Sequence, residues 1–180
     1  MSPSSLYQDA LSHLMSLATP PPPSELRASA SIVPWRVGGD RRTEVFWVRR
    51  NLTMGVLGGW RAFPGGGVSP ADKDLPLHGK PTVGTDASFP RYDLLHFEPD
   101  LSPATFAAAL RELWEETGLL LTTPIQDNTP PIERTASEAA LATWLAENHL
   151  ALDASRLVFA GRWITPPISA FRFDTRFFLW

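Results

Sequence analysis

The sequence predicts one α/β domain, and three stretches carry that expectation. Residues 30–37 and 43–50 are β-branched and aromatic runs on either side of Gly38-Gly39-Asp40, a strand–turn–strand pattern. Residues 103–117 form a helix with both ends marked. Ser102 is a good N-cap, Pro103 suits the first helical position, and Gly118 favours the left-handed residue that stops a helix. Ser137 then caps a second helix to about His149, and Leu157–Ala160 and Arg172–Trp180 return to strand composition. With 180 residues and 43% hydrophobic content, the chain can bury one core.

The first helix carries the chemistry. Each helical residue turns about 100°, so Glu112, Glu115 and Glu116 project together, with Ala108 one turn earlier on that face. Phe106, Leu110, Leu113 and Thr117 fall on the opposite side as a buried stripe, and Leu101 with Phe106 makes a hydrophobic staple. Three carboxylates on one face repel each other unless a cation sits there, and hard divalent ions take oxygen ligands together with substrate phosphates. A solvated acidic face is the plainer alternative. Arg111 precedes Glu115 by four residues, the spacing for an ion pair that orients the carboxylate. Upstream, Phe63-Pro64-Gly65-Gly66-Gly67 is a glycine turn whose bare backbone can approach phosphate or the metal helix.

Arg111-Glu112-Leu113-Trp114-Glu115-Glu116-Thr117-Gly118-Leu119 resembles the second half of the Nudix box, G-x5-E-x7-R-E-U-x-E-E-x-G-U with U aliphatic. Phe63 to Gly66 is similar to the usual lead-in. The first half departs from the pattern. Counting from Gly66 puts Asp72 where Glu is expected, and counting back from Arg111 puts Pro103 there. Gly66 and Arg111 are 45 positions apart where the pattern has 14, so 31 residues are inserted inside the box. An interrupted box is similar to the subgroup that includes the peroxisomal coenzyme A diphosphatases, and Arg172–Phe178 resembles a segment that follows the box there.

The resemblance implies an α/β/α sandwich with a mixed sheet, over about residues 28–180, and hydrolysis of a diphosphate linkage by attack of water on phosphorus. It implies Mg²⁺ or Mn²⁺ on Glu115 and Glu116, with Glu112 a further ligand or the acceptor of the water's proton. Arg111 orients the carboxylates, and Gly65 and Gly66 let the backbone approach. Arg49 or Arg50, Arg61, Arg172 and Arg176 are candidate substrate contacts; a solvated strand end or face is the alternative for each. The general base has no assignment. The substrate is a small-molecule diphosphate, with coenzyme A or its acyl thioesters favoured by the insertion and by Arg172–Phe178. The rival reading is a Nudix-fold module that binds a nucleotide or cofactor without hydrolysing it. Degenerate boxes in such modules usually lose a carboxylate, whereas all three are present here.

Net charge is −3 with no basic block, which argues against nucleic acid as the partner. No segment approaches a membrane span, and no secretory signal opens the chain. Zero cysteines exclude disulfides and thiol catalysis and fit a cytoplasmic enzyme.

Residues 1–27 read as a short amphipathic helix (Leu6, Leu11, Leu14, Met15, Leu17) followed by a polyproline spacer at Pro20–Pro23. Residues 68–100, with five prolines, read as a loop excursion that governs substrate choice rather than the chemical step. Its Tyr92–Phe97 end is apolar enough to pack back onto the domain. Within it, Asp72 and Asp74 are candidates for a further metal ligand, against the alternative that both are solvated. Leu119–Leu121 begins a buried strand, and Asp127–Pro131 is a turn-rich link. Strand alternation puts Arg172, Asp174 and Arg176 on one face and Phe173, Thr175 and Phe177 on the other. Phe177-Phe178-Leu179-Trp180 leaves an apolar end uncovered, so a missing C-terminal segment or a second subunit in a homodimer is expected to complete the sheet, unless residues 6–18 cover that face.

Overall fold

The computed structural model describes residues 25–52, 59–83, 101–125, 131–134, 137–167, 169 and 171–180. The N-terminal helix and polyproline spacer, Tyr92–Phe97 and most of the Asp127–Pro131 link lie outside the described residues. The strands are β1 (Leu26–Val33), β2 (Trp35–Val37), β3 (Thr43–Val45), β4 (Val48–Arg49), β5 (Arg61–Ala62), β6 (Gly65–Gly67), β7 (Leu77–His78), β8 (Thr82–Val83), β9 (Thr122–Thr123), β10 (Ala151–Asp153), β11 (Val158–Ile164) and β12 (Arg172–Leu179). The helices are α1 (Pro103–Thr117) and α2 (Glu138–Glu147).

Five strands make a mixed sheet in the order β6–β1–β12–β11–β8, the α/β arrangement expected. β1 runs parallel to β12 and antiparallel to β6, so the glycine strand forms one edge. Smaller sheets are β7–β10–β9 and the two antiparallel pairs β2–β3 and β4–β5. Pro34 interrupts what the sequence shows as one run, because it has no N–H for a ladder, and β1 passes to β2 there. The insertion is not wholly a loop. It supplies a 3-10 turn at Pro70–Asp74, then β7, then β8, which pairs with β11. The strand expected from Leu119 is also corrected. Gly118 turns the chain away, Leu119 is exposed, and only Thr122–Thr123 pair.

α1 lies on β1. Ala30 and Ile32 on the strand meet a helix whose Ala107, Ala108 and Ala109 are buried, and small residues on both sides allow close approach. Leu110 and Leu113 are fully buried, each worth about 1.5–3 kcal/mol relative to exposure. Leu141 and Leu145 of α2 belong to the same core. Phe178 sits at its centre, edge-on to Phe106 at 5.9 Å and to Phe159 at 6.0 Å between ring centres.

Burial of Phe178 fixes which face of β12 is inward. Asp174 and Arg176 share that face and are buried. Asp174 accepts two hydrogen bonds from Arg162, each 2.6 Å, and one from Arg176 at 2.9 Å. Hydrogen bonding from Arg162 outweighs the cost of burial, and with the nearby Arg176 charge it holds the Asp174 carboxyl below its ordinary range. A depressed carboxyl contributes stability that is complete above its unfolded pKa, about 3.9, and is lost as pH falls through the lower folded value. The Asp174→Asn variant is therefore less stable than wild type at neutral pH, and the gap narrows below about pH 4. Denaturant midpoints across an acid series check this; a gap independent of pH would contradict it.

The last residues are tied to the strand β1 and its continuation β2. Trp180 exchanges backbone hydrogen bonds with Val33 and Trp35, at 3.3 and 2.9 Å. The Arg156 guanidinium lies over its ring, 5.6 Å from the centre.

Candidate active site

Helix caps set the position of the acidic face. Ser102 Oγ accepts from the Thr105 N–H, and at the other end Gly118, at φ 81°, donates its N–H to Trp114 O at 2.7 Å. Both ends are thus satisfied as the sequence indicated, and the last helical turn holds Glu115 and Glu116. The glycine strand runs alongside. Ile32 donates to Pro64 O and Val68 to Ala28 O, both at 2.9 Å, which pins β6 to β1. A Cβ on Gly65 would overlap Ala30 O and Ser31, and a Cβ on Gly66 would overlap the Glu112 carboxylate. Glycine is needed at position 65 because the backbone of β1 presses there, while at position 66 a Cβ would push the Glu112 carboxylate aside.

Arg111 is the hub of the acidic face, 4% exposed. Its Nε donates to Asp72 Oδ1 at 2.7 Å and its Nη2 to Asp72 Oδ2 at 3.2 Å, a two-bond match of guanidinium to carboxylate. Nη2 also donates to Gly67 O at 3.1 Å, while Nη1 reaches Glu112 Oε1 at 2.8 Å and both oxygens of Glu115 at 3.2 Å. Burial alone would lower its pKa. The Asp72 hydrogen bond and the Glu112 and Asp72 charges outweigh that and raise it, so Arg111 stays charged.

Asp72 is neither solvated nor open to a metal. It is buried, bound to Arg111, and accepts the Ser69 N–H at 2.7 Å, while Ser69 Oγ accepts from Ala71 at 3.2 Å. The start of the insertion is therefore part of the site's frame. Exchanging all of residues 68–100 would remove Asp72 and so disturb the carboxylate face itself. Asp74 is exposed.

A cavity of about 600 Å³ opens between β6, β1, β12 and α1. Glu112 and Glu116 line it with Gly65, Gly66 and Gly67. Gly65 N donates to Glu116 Oε2 at 3.3 Å. Burial raises both carboxyls above the ordinary range. Arg111 opposes this at Glu112; at Glu116 the Gly65 N–H opposes it and the Glu112 charge adds to it. Crowded, partly desolvated carboxylates of this kind favour a cation.

Among the described residues, no group of three or more His, Asp or Glu side chains converges in metal-ligating geometry. Of the three carboxylates expected from helix spacing, Glu112 and Glu116 line the cavity, while Glu115 does not line it and accepts from Arg111 Nη1, as Glu112 also does. The cavity pair still fits Mg²⁺ or Mn²⁺, since Mg²⁺ is usually held by one or two carboxylates with substrate phosphates and water completing its shell.

The other expected contacts divide sharply. Arg49 and Arg61 face each other across β4–β5, exposed, and do not line the cavity; Arg50 does. Arg172 bonds Thr165 O at 3.2 Å, and Arg176 is buried on Asp174, on the face of β12 turned away. The opposite face supplies Phe173, Thr175 and Phe177 to the cavity wall, with Thr175 Oγ1 2.6 Å from Ser29 Oγ. Phe63 also lines the cavity and stacks on Trp47 at 4.9 Å between ring centres. The alternation on β12 was legible; the burial of Phe178 was the signal that would have assigned its faces.

No protein-family model matches the chain, and no curated protein matches it. Among solved structures it is similar to the crystal structure of the NUDIX hydrolase from Alicyclobacillus acidocaldarius. The two are 34% identical with a TM-score of 0.67, over 87% of this chain and 69% of that one.

Proposed function

This chain belongs to the Nudix hydrolase family, and on that premise we propose that it hydrolyses a diphosphate linkage with Mg²⁺ or Mn²⁺ held at Glu112 and Glu116. The supporting observation is the single cavity that brings those two carboxylates, the glycine strand and Arg50 together. The divalent ion supplies neutralisation of phosphate charge and a lowered pKa for water. Arg111 holds the Glu112 carboxylate by Oε1 and so fixes its direction. Glu112 Oε2 lies outside that bond and is our candidate oxygen to hold the ion. Gly65 orients Glu116 through its N–H. Glu115 acts at one remove, fastening Arg111 from the solvent side.

For the substrate we propose coenzyme A or its acyl thioesters. Phe63, Phe173 and Phe177 give the cavity an apolar wall beside the carboxylates, which suits a diphosphate carrying a sizeable organic group. The test is mass-spectrometric detection of products from a panel of coenzyme A, acyl-coenzyme A, dinucleoside diphosphates and nucleotide sugars, with Mg²⁺ or Mn²⁺ and with chelator. Metal-dependent cleavage between the two phosphates supports the reading. Tight binding with no product from any compound would favour the non-catalytic alternative.

Gly66→Ala tests the frame. Its Cβ displaces the Glu112 carboxylate, and misplacement by about 1 Å can cost about a hundredfold in kcat. Unchanged kcat in this variant would show that Glu112 need not sit where the glycine strand holds it.

A further inference from the structure

We infer that Arg50 binds the diphosphate anion of the substrate inside the cavity, a contact that deepens the hydrolase reading and rests on it. Arg50 lines the same cavity as Glu112, Glu116 and the glycine strand. Its main chain is fixed on both sides: Arg50 N donates to Trp60 O at 2.9 Å, and Gly59 N donates to Arg50 O at 3.1 Å. Its Nε is buried and has no hydrogen-bond partner among the described residues. Arg111 is matched to Asp72, Glu112 and Glu115, Arg162 and Arg176 to Asp174, and half-buried Arg172 bonds the Thr165 carbonyl, although Nε of Arg176 is buried without a partner as well. Arg50 forms no salt bridge among the described residues, although its charge reaches Glu116 and opposes the rise of that carboxyl.

A guanidinium on a cavity wall with no carboxylate partner leaves its charge uncompensated until an anion arrives. An anion with several oxygens entering the cavity is the best-matched partner. A guanidinium presents a planar fork of donors that fits two phosphate oxygens at once, which an ammonium does not. Two unlike charges then bracket the site. The carboxylate pair takes the divalent cation, and Arg50 takes phosphate oxygens and keeps the anion from being repelled by Glu116.

The test separates binding from turnover. Arg50→Gln and Arg50→Lys are compared with wild type by calorimetric titration of a nonhydrolysable methylene-bridged nucleotide diphosphate in chelator, and by steady-state kinetics with Mg²⁺ on whichever diphosphate the wild type cleaves. Melting curves verify that each variant is folded. Loss of a charge-assisted contact weakens probe binding and raises KM about tenfold or more in the Gln variant, with the Lys variant in between because it restores charge but not the fork. Wild-type probe affinity retained in Arg50→Gln overturns the assignment, as does a wild type that does not bind the probe. A wild type that binds the probe through Arg50 but cleaves no diphosphate upholds the anion site and removes the hydrolase reading alone.

Discussion

Glu116→Gln lowers kcat by about two orders of magnitude or more, and Glu112→Gln does the same, since each removes an anionic ligand from an ion that supplies several kcal/mol of transition-state stabilisation. The same substitution at Glu116 raises thermal stability in chelator. Burial pushes the Glu116 carboxyl above its ordinary range, so its ionised form is disfavoured in the folded chain and lowers stability as pH rises through the folded pKa. A neutral glutamine removes that cost. Adding Mg²⁺ reverses the order, because an ion that binds only the native state stabilises wild type by mass action and cannot do so for a variant lacking the ligand. Melting temperatures of both proteins, with and without Mg²⁺, read this out. Near wild-type turnover in both glutamine variants at saturating Mg²⁺ would mean that the carboxylate pair does not hold the ion.

Asp72→Ala carries the largest expected effect on stability. Asp72 and Arg111 form a pair with side chains 0% and 4% exposed, and removing one partner leaves the other charge buried without its match. Breaking such a pair costs about 3–5 kcal/mol, much of the margin of a domain this size. Glu112 and Glu115 retain contacts to Arg111, so the loss falls toward the lower end of that range if they draw the guanidinium toward themselves. The double variant Asp72→Leu with Arg111→Met recovers stability, since apolar replacements of a buried pair are often neutral. Its activity stays low because the carboxylates lose their anchor. Urea denaturation gives the stabilities; a single variant within about 1 kcal/mol of wild type would show that Asp72 is not the lock.

The helix that carries the site was readable because its signals agree: a side-chain cap, proline at the first position, a glycine stop and a stripe of Phe106, Leu110 and Leu113 that the core buries. Spacing also placed Glu112 and Glu116 on one side and paired Arg111 with Glu115. Spacing does not reveal that Arg111 also bonds Asp72, because that depends on where Asp72 arrives from the inserted segment. The box pattern did mark position 72 as the place for an acid, and Ser69 three residues before it is the cue for the cap that holds it. Strand faces were the weak point. A period of two separates Arg172 and Arg176 from Phe173 and Phe177 but does not say which set looks into the cavity. The fold chose the phenylalanines, because Phe178 had to enter the core on the arginine side. The same one-residue ambiguity separates Arg49, exposed, from Arg50, in the cavity wall.

Water that attacks phosphorus of a diphosphate at the Glu112–Glu116 cavity would leave its oxygen on a phosphate-bearing product. Hydrolysis in water labelled with heavy oxygen, with products resolved by mass spectrometry, reads this out. One labelled oxygen is expected on a phosphate-bearing product, formed only with divalent cation and reduced about a hundredfold or more by Glu116→Gln. Label in a fragment carrying no phosphate, or the same label and rate in Glu116→Gln, would contradict it.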